Sequence, residues 1–525
     1  MYVRKPYLNN SYRDVRDGRL LLISLLSFAT AGVVVLTSAV VLEPEGVLGR
    51  QSVLAPLCLG LGIVLLSPSV YLLLRHRFDF FHPLVYPVFT YMLPAFVFGG
   101  LYLQFGSNPS WVLSLIPNPD YYLPLSVLYI MIGFIGLMIG FVIPAAGNLG
   151  KALSRRLPTW DWKPSALRGP CVVLVLTGLA INVFSYSIGV GGYQMLETPS
   201  VIGGLLNTLG TLSGIGSFLL WHAFFRREQT KQAGWNVIVA LLIAQILLFA
   251  LIGGSRFSLV GSVLAIFAAY RFSGRHLKPH AMWRFAVVGI IGLFIGINIG
   301  TTFRNLKGSE APIGFVENFR IGLQSATLVL TRSPADNWVM FTDVLFSRIE
   351  TLSSFAVIVA SYKQLRPIEE EFGIANNIWT YTWTAFIPRF IWPEKPKISD
   401  ARTIGAIYYN MPENSFGFTI FGDLLRNFGP IGVPIGMILL GFILRVLYVS
   451  LVKIRSGSAW RSASYFFLLA NVNIENFYGA ILPRWIHLAI VLLVSGIVIN
   501  TFVANRRHQK GNTYIELTGT IDYGK

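Results

Sequence analysis

Long apolar runs alternate with short polar segments along most of this chain. The runs are continuous and have about the 20 residues that a helix needs to cross a bilayer. They lack the strict alternation that is typical of a membrane β-strand. The pattern predicts twelve membrane-spanning helices, at 20–42, 53–74, 83–103, 123–144, 170–189, 201–225, 236–252, 257–272, 285–302, 428–448, 462–482 and 485–503. We therefore predict an all-α, polytopic membrane protein.

The composition supports the same class. Of the 525 residues, 54% are apolar or aromatic and only 13% are charged, whereas soluble domains carry about 25% charged residues. A membrane helix can expose its apolar side chains to lipid, so it needs few surface charges. The two cysteines, Cys58 and Cys171, are too few for a disulfide scaffold. Their apolar surroundings indicate buried thiols.

The net charge of +18 is distributed by segment. Basic residues cluster before the first predicted span and after the second, fourth, sixth, eighth, tenth and twelfth, while 104–122 and 190–200 contain no Lys or Arg. By the positive-inside rule, both termini are cytoplasmic. The charge is therefore explained by topology and by attraction to anionic lipid, and we predict no nucleic-acid partner.

One predicted extracytoplasmic segment is much longer than the others. We divide the chain into 1–303 with nine spans, the outer segment 304–427, 428–505 with three spans, and the cytoplasmic tail 506–525. Loops this long within a compact bundle are usually functional. An amphipathic run at 339–362 and the tryptophans of 379–392 predict short helices that lie on the outer leaflet and cap the bundle.

Arginine and lysine are the candidate chemical groups on the outer side. The chain has no Walker loop, HExxH motif or GxSxG nucleophile motif, and 304–427 contains no histidine. We therefore predict no metal site and no cofactor. The candidate anion-binding residues are Arg256, Arg304, Arg320, Arg348, Arg389, Lys395 and Arg426. The alternative for each is a headgroup anchor or a solvated helix face.

Two of these cations lie in distinctive local sequences. Arg256 follows Gly253 and Gly254 between two short spans, and an arginine at that depth needs an anionic partner. Arg389 and Lys395 lie in the run IPRFIWPEKP, whose prolines stiffen the backbone. A stiff loop lowers the entropic cost of holding cations against a phosphate.

Three carboxylates are candidates for a catalytic base. They are Asp423 at the mouth of the tenth span, Glu350 in the outer segment, and Glu475 in the polar eleventh span. A carboxylate within the membrane is by default a functional hypothesis, and the alternative for Glu475 is an ion pair with Arg484. The acidic run 369–371 is interpreted as a solvated turn, because adjacent carboxylates repel one another.

The sequence resembles the Wzy-type O-antigen and exopolysaccharide repeat-unit polymerases. Over most of the chain, the resemblance lies in the hydropathy pattern, which has many spans and one large outer loop towards the C-terminal end. It is sharper at GGSR (253–256), at IPRFIWPEKP (387–396) and at FGD to NFG (421–429). It implies a GT-C-like architecture related to the O-antigen ligases, in the bacterial inner membrane, with an active site that faces the periplasm.

The resemblance also implies an activity. A membrane glycosyltransferase of this type moves a growing glycan from undecaprenyl pyrophosphate onto a new lipid-linked repeat unit, and a chain-length regulator is a possible partner. Convergent arginines would bind the pyrophosphate, and a carboxylate would accept the acceptor proton. The ligase relatives are expected to use a histidine in the outer loop, which this chain lacks. The alternatives are a lipid-linked glycan flippase, a ligase, and an acyl- or phosphoglycerol transferase.

Overall fold

A computed structural model describes residues 32, 50–106, 111–192, 201–226, 234–275, 279–308, 314–387, 391–392, 394–395, 401–412, 416–454, 457–475 and 477–518. Every regular element in these ranges is helical. The α-helices are α1 (Arg50–Leu74), α2 (Gly99–Phe105), α3 (Pro119–Val142), α4 (Pro144–Arg156), α5 (Pro164–Ser187), α6 (Val201–Arg226), α7 (Trp235–Ile252), α8 (Ser258–Phe272), α9 (Pro279–Lys307), α10 (Phe315–Thr331), α11 (Pro334–Ile349), α12 (Leu352–Ser361), α13 (Arg366–Glu371), α14 (Asn377–Thr384), α15 (Ala401–Tyr409), α16 (Thr419–Tyr448), α17 (Ala459–Ala470) and α18 (Tyr478–Thr518). Two π-helices (Val88–Phe98 and Val449–Lys453) and a 3-10 helix (Trp111–Leu115) complete the described elements.

Ten helical stretches in the described ranges are long and apolar enough to cross a bilayer. They are Val53–Leu74, Val88–Phe105, Pro119–Val142, Pro164–Ser187, Ile202–Arg226, Trp235–Ile252, His280–Lys307, Pro334–Ser361, Thr419–Lys453 and Tyr478–Ala504. The prediction of a polytopic, all-helical membrane protein is confirmed. The predicted span 257–272 is an apolar helix of 15 residues. Apart from Gly32, the predicted span 20–42 lies outside the described residues.

The predicted span 462–482 is wrong as a single helix. Helix α17 ends at Ala470, and α18 begins only at Tyr478. Between them, the side-chain oxygen of Asn473 accepts a hydrogen bond from the backbone N–H of Glu475 at 2.9 Å. The carbonyl of Ile474 accepts the N–H of Ile420, also at 2.9 Å. The backbone groups of this polar segment therefore have partners outside a helical ladder.

The predicted outer segment 304–427 contains one long apolar helical stretch. Residues 334–361 form two consecutive helices, α11 and α12, which together are apolar enough to span. Seven of the ten residues of α12 are buried, and the ring of Phe355 packs against Phe421 of α16 at 6.1 Å between centroids. Helix α12 thus lies inside the bundle, because its β-branched and aromatic side chains need an apolar environment.

The chain forms two compact units. The first comprises Met1–Leu157, Thr342–Ile454 and Leu468–Ile486, and the second comprises Pro158–Phe341, Arg455–Phe467 and His487–Lys525. In the first unit, α3 and α16 pack in close contact. A Cβ atom on Gly140 would clash with the carbonyl oxygen of Ile438, and one on Gly441 would clash with that of Leu137. Small residues of this kind let membrane helices approach closely.

Helix α16 is broken near its start. Gly429 has φ 70° and ψ −167°, a conformation that only glycine adopts readily. Pro430 follows it and cannot donate the next helical hydrogen bond. The break separates a short first segment, in which residues 419–427 are all buried, from the long apolar segment that follows.

Candidate functional site

The second unit holds Arg256 in a tight corner against helix α9. The turn after α7 passes through Gly254, whose φ is +57°, and then Arg256 precedes α8. Gly296 and Gly300 lie one turn apart on α9. A Cβ atom on Gly296 would lie 2.6 Å from the carbonyl oxygen of Arg256, and one on Gly300 would lie 3.1 Å from its Cα. The Gly-x-x-x-Gly spacing of α9 therefore allows the arginine-bearing turn to pack directly on the helix.

Arg304 lies one further turn along the same face of α9. Its Nε donates a hydrogen bond to the carbonyl of Gly254 at 2.9 Å. Arg256 and Arg304 are both half-buried. The structure thus places two of the predicted anion-binding residues in one corner, here called the arginine corner (Arg256 and Arg304 with the turn 253–257). A guanidinium stays charged at any physiological pH, so this corner holds two permanent positive charges.

Three of the other predicted cations have different surroundings in the described structure. Arg320 is exposed on α10 and pairs with Glu317 at 2.7 Å. Arg348 is exposed near the end of α11. Lys395 is buried, and its Nζ donates to the carbonyl of Ile387 at 3.0 Å. Arg389 lies outside the described residues.

The seventh cation, Arg426, lies at the centre of a buried polar network in the first unit. Its guanidinium donates to Asp423 at 3.0 and 2.9 Å, to Glu369 at 3.1 Å, to the carbonyl of Ile374 at 3.0 Å and to Asn377 at 2.7 Å. Arg426, Asp423 and Glu369 have side chains with at most 1% exposure. All three guanidinium nitrogens of Arg426 therefore donate to acceptors within the protein.

Other contacts complete this network. The guanidinium carbon of Arg426 lies 4.5 Å from the ring centre of Phe418, a cation–π distance. Asp423 also accepts the backbone N–H of Gly479 at 2.9 Å and the side-chain amide of Asn427 at 3.2 Å. These contacts argue against both predicted roles. Asp423 is a poor candidate for a base and Arg426 for a pyrophosphate ligand, because protein partners already satisfy both groups.

Glu369 corrects the interpretation of the acidic run as a solvated turn. Glu370 and Glu371 are exposed, but Glu369 is fully buried. Its Oε1 accepts the hydroxyl of Tyr408 at 2.8 Å as well as Arg426, and no described residue donates to Oε2. Burial raises the pKa of Glu369, while the charge of Arg426 acts in the opposite direction.

Sequence reasoning missed Glu369, Asn377 and Tyr408 as members of this network. One signal was available. The apolar stretch 416–427 contains an arginine and only one nearby acid, so the remaining donors of Arg426 had to find buried acceptors elsewhere. That signal requires acceptors without naming them, because Asn377 and Glu369 lie 49 and 57 positions away from Arg426 in the chain.

The contacts of Glu350 also bear on its predicted role. It is buried at the start of α12, where its carboxylate accepts the backbone N–H of Ser353 at 2.7 Å and also the hydroxyl of Ser353. A carboxylate in this position satisfies a free N–H of the first turn and the positive end of the helix dipole. Glu350 is therefore a helix cap, which explains its burial without a catalytic role.

Glu475 is the predicted carboxylate with an exposed side chain. It lies in the non-helical segment between α17 and α18. The side chain of Glu475 reaches solvent, but the protein around it removes much of its hydration, and this raises its pKa. The positive charge of Arg348 acts in the opposite direction and lowers that pKa. Tyr91 also lies within electrostatic range. Glu475 thus keeps the accessibility that a proton acceptor needs.

The part of the chain that the structure describes contains no group of three or more His, Cys, Asp or Glu side chains that could hold a metal ion. Comparison with known proteins adds no assignment. No family model, no curated protein and no solved structure matches this chain.

Proposed function

We propose that this protein is a membrane glycosyltransferase that polymerises lipid-linked oligosaccharide repeat units, as its resemblance to the Wzy-type polymerases implies. The donor is a glycan on undecaprenyl pyrophosphate, and the acceptor is a new lipid-linked unit. The observation that carries the proposal is the arginine corner, in which Arg256 and Arg304 adjoin on the second unit.

The chemistry of a pyrophosphate fits this corner. Guanidinium groups bind phosphate oxygens through two parallel N–H donors and remain charged throughout. When the glycosidic bond to pyrophosphate breaks, negative charge grows on the leaving group. Cations held in place before the reaction stabilise that charge without reorganising. The corner therefore suits a step in which a pyrophosphate departs.

The proposed reaction is a single substitution. A hydroxyl oxygen of the acceptor sugar forms a bond to the anomeric carbon of the donor glycan. The bond from that carbon to the pyrophosphate oxygen breaks, and its electron pair leaves with undecaprenyl pyrophosphate. The acceptor hydroxyl proton passes to a carboxylate base.

The proposal includes a location and partners. We place the protein in the bacterial inner membrane, with chemistry on the periplasmic side, a GT-C-like arrangement and segment 304–427 as the outer part. Membrane lipid and the lipid-linked glycans are the expected partners, and a chain-length regulator protein is a further one. We assign no metal and no nucleic acid to the reaction.

Gene deletion distinguishes the proposal from its alternatives. A polymerase defect leaves lipid carriers that bear one repeat unit at the outer face. A flippase defect leaves single units at the cytoplasmic face and none outside, and a ligase defect leaves polymer on the lipid carrier. Only the first result supports the proposal, and complementation with the intact gene should restore long chains. Either of the other two results contradicts it.

A further inference from the structure

Helix α4 (Pro144–Arg156) joins two helices that are long and apolar enough to span the membrane. It begins two residues after α3 ends at Val142, and α5 begins at Pro164. If α3 and α5 span, this connection holds the 13 residues of α4 at a membrane boundary. The helix carries Lys151, Arg155 and Arg156 and has no acidic residue.

One face of α4 is fixed to the protein. Ala146, Gly150 and Ser154 recur every four residues and are buried. A Cβ atom on Gly150 would lie 2.8 Å from Cβ of Val449 and 3.1 Å from the carbonyl oxygen of Val446. This approach to the end of α16 leaves α4 little freedom to rotate, so its opposite face is held outward.

The outward face has two chemically different flanks. With 3.6 residues per turn, Asn148, Lys151 and Arg155 project along one flank, and all three are exposed. Ala145, Leu149 and Ala152 project along the adjacent flank, on which Arg156 follows them at the C-terminal end of the helix, and all four residues are exposed. An apolar flank beside a cationic flank is typical of a helix that lies in the membrane interface.

More positive charge lies at the same end of the first unit. A Cβ atom on Gly147 of α4 would lie 4.0 Å from Nε of Arg445, and Lys453 ends the π-helix that contains Val449. Burial lowers the pKa of His82 to about 3, and the charges of Arg445 and Lys453 contribute to this fall. His82 therefore stays neutral and adds no charge at neutral pH.

We infer that α4 is a binding site for anionic phospholipid. Ala145, Leu149 and Ala152 face the acyl-chain boundary, while Lys151 and Arg155 contact the lipid phosphates. A soluble anion explains the cationic flank but leaves the exposed Leu149 without a role. A lipid headgroup with its acyl chains satisfies both flanks at once.

Lipid binding by charge-neutralised variants tests this site. Purified protein in neutral detergent micelles is titrated with phosphatidylglycerol or with zwitterionic phosphatidylcholine. A Lys or Arg near an anionic surface contributes about fivefold to affinity, so Lys151→Gln with Arg155→Gln should weaken phosphatidylglycerol binding about 25-fold. Phosphatidylcholine binding should stay unchanged. The control variant, Arg320→Gln with Lys363→Gln, removes two exposed charges elsewhere and should retain phosphatidylglycerol affinity.

Three results would overturn the assignment. Phosphatidylglycerol affinity could be unchanged in the α4 variant, or it could fall equally in the control variant. The third result is that inorganic phosphate competes for the site as effectively as the lipid does. It would mean that the site binds anions in general. Both variants alter exposed side chains, so their thermal unfolding in neutral detergent should match the unaltered protein.

A second measurement leaves the charges in place. The native Cys58 and Cys171 are buried, so a nitroxide label can be directed to a new cysteine. In phosphatidylglycerol vesicles, a label at Leu149→Cys should collide more with oxygen, which concentrates among acyl chains. A label at Asn148→Cys should collide more with a water-soluble nickel chelate. Equal access of the chelate to both positions would contradict the interfacial orientation.

Discussion

Replacing Arg426 by Met should destabilise the protein strongly, because the change leaves two buried carboxylates without their cation. Asp423 and Glu369 have at most 1% exposed side chains and both accept from Arg426. Removing one partner of a buried ion pair costs about 3–5 kcal/mol. Two acids lose their partner here, so we expect the upper part of that range.

Thermal unfolding of detergent-purified protein measures this cost. At roughly 2 °C per kcal/mol, the midpoint should fall by about 8–10 °C. The matched control is Arg366→Met in the same region. Arg366 is half-buried, pairs with the exposed Glu370 at 3.1 Å and donates to the carbonyl of Arg426 at 2.9 Å. A partly exposed pair of this kind contributes about 0–1 kcal/mol.

Two further measurements separate buried charge from lost packing. Adding Asp423→Asn and Glu369→Gln to Arg426→Met removes the unpaired charges, so part of the lost stability should return. Arg426 lowers the pKa of Glu369 against the effect of burial, so its loss raises that pKa further. A raised carboxyl pKa favours the folded state at low pH and loses that benefit as pH rises. The deficit of Arg426→Met should therefore shrink under mildly acidic conditions.

The reasoning about the network is refuted by either of two results. One is that Arg426→Met costs no more than Arg366→Met. The other is that the triple variant is as unstable as Arg426→Met alone.

Three further predictions concern the proposed reaction. Arg256→Lys and Arg304→Lys should each lower polymer formation about 10- to 100-fold at matched protein level, because charged hydrogen bonds contribute about 1.5–3 kcal/mol. The control variant Arg320→Lys should retain activity. Normal polymer formation by both corner variants would mean that these arginines only anchor the protein at the lipid headgroups. The acid limb of the rate–pH profile should lie above the usual carboxyl range, because surrounding protein raises the pKa of Glu475. Arg348→Gln should move that limb to higher pH and Glu475→Gln should abolish it, and an unmoved limb in both variants would exclude Glu475. Elongation by purified protein should continue in excess EDTA, because arginine charge can replace a bridging metal at the leaving group, and loss of activity that Mg²⁺ restores would contradict this.

The apolar helices were predictable because span length is a local property. The prediction 53–74 coincides with Val53–Leu74, and 236–252 differs from Trp235–Ile252 by one residue. Hydropathy does not predict where a helix ends when side chains form hydrogen bonds with the backbone in place of its helical partners. Segment 471–477 is itself polar, but the apolar residues on either side of it extend the hydropathy window across it. In the structure Asn473 bonds to the backbone two residues on and Ile474 pairs with Ile420.

The candidate site was less predictable, because its contacts are distant in sequence. The residue types in GGSR identified Arg256, but the hydrogen bond from Arg304 to Gly254 joins positions 50 apart in the chain and depends on the folding of α8 and α9 between them. Glu369 and Glu370 are neighbours with the same chemistry, yet one is buried and the other is exposed. Only the three-dimensional placement of Arg426 distinguishes them.

The network and the helix break together explain how a polar motif is accommodated in an apolar region. Asp423, Arg426 and Asn427 all precede Gly429, where the helix changes direction. Their charges are satisfied by side chains and backbone from α13, α14 and the start of α18. After the break, Ile431, Ile435 and Leu439 form an exposed stripe that suits contact with lipid. A straight helix would hold both segments on one axis, so the break at Gly429 lets the polar segment take its own direction. The FGD–NFG motif is therefore best understood as an anchor that joins parts of the first unit, and its presence alone is weak evidence for a catalytic aspartate.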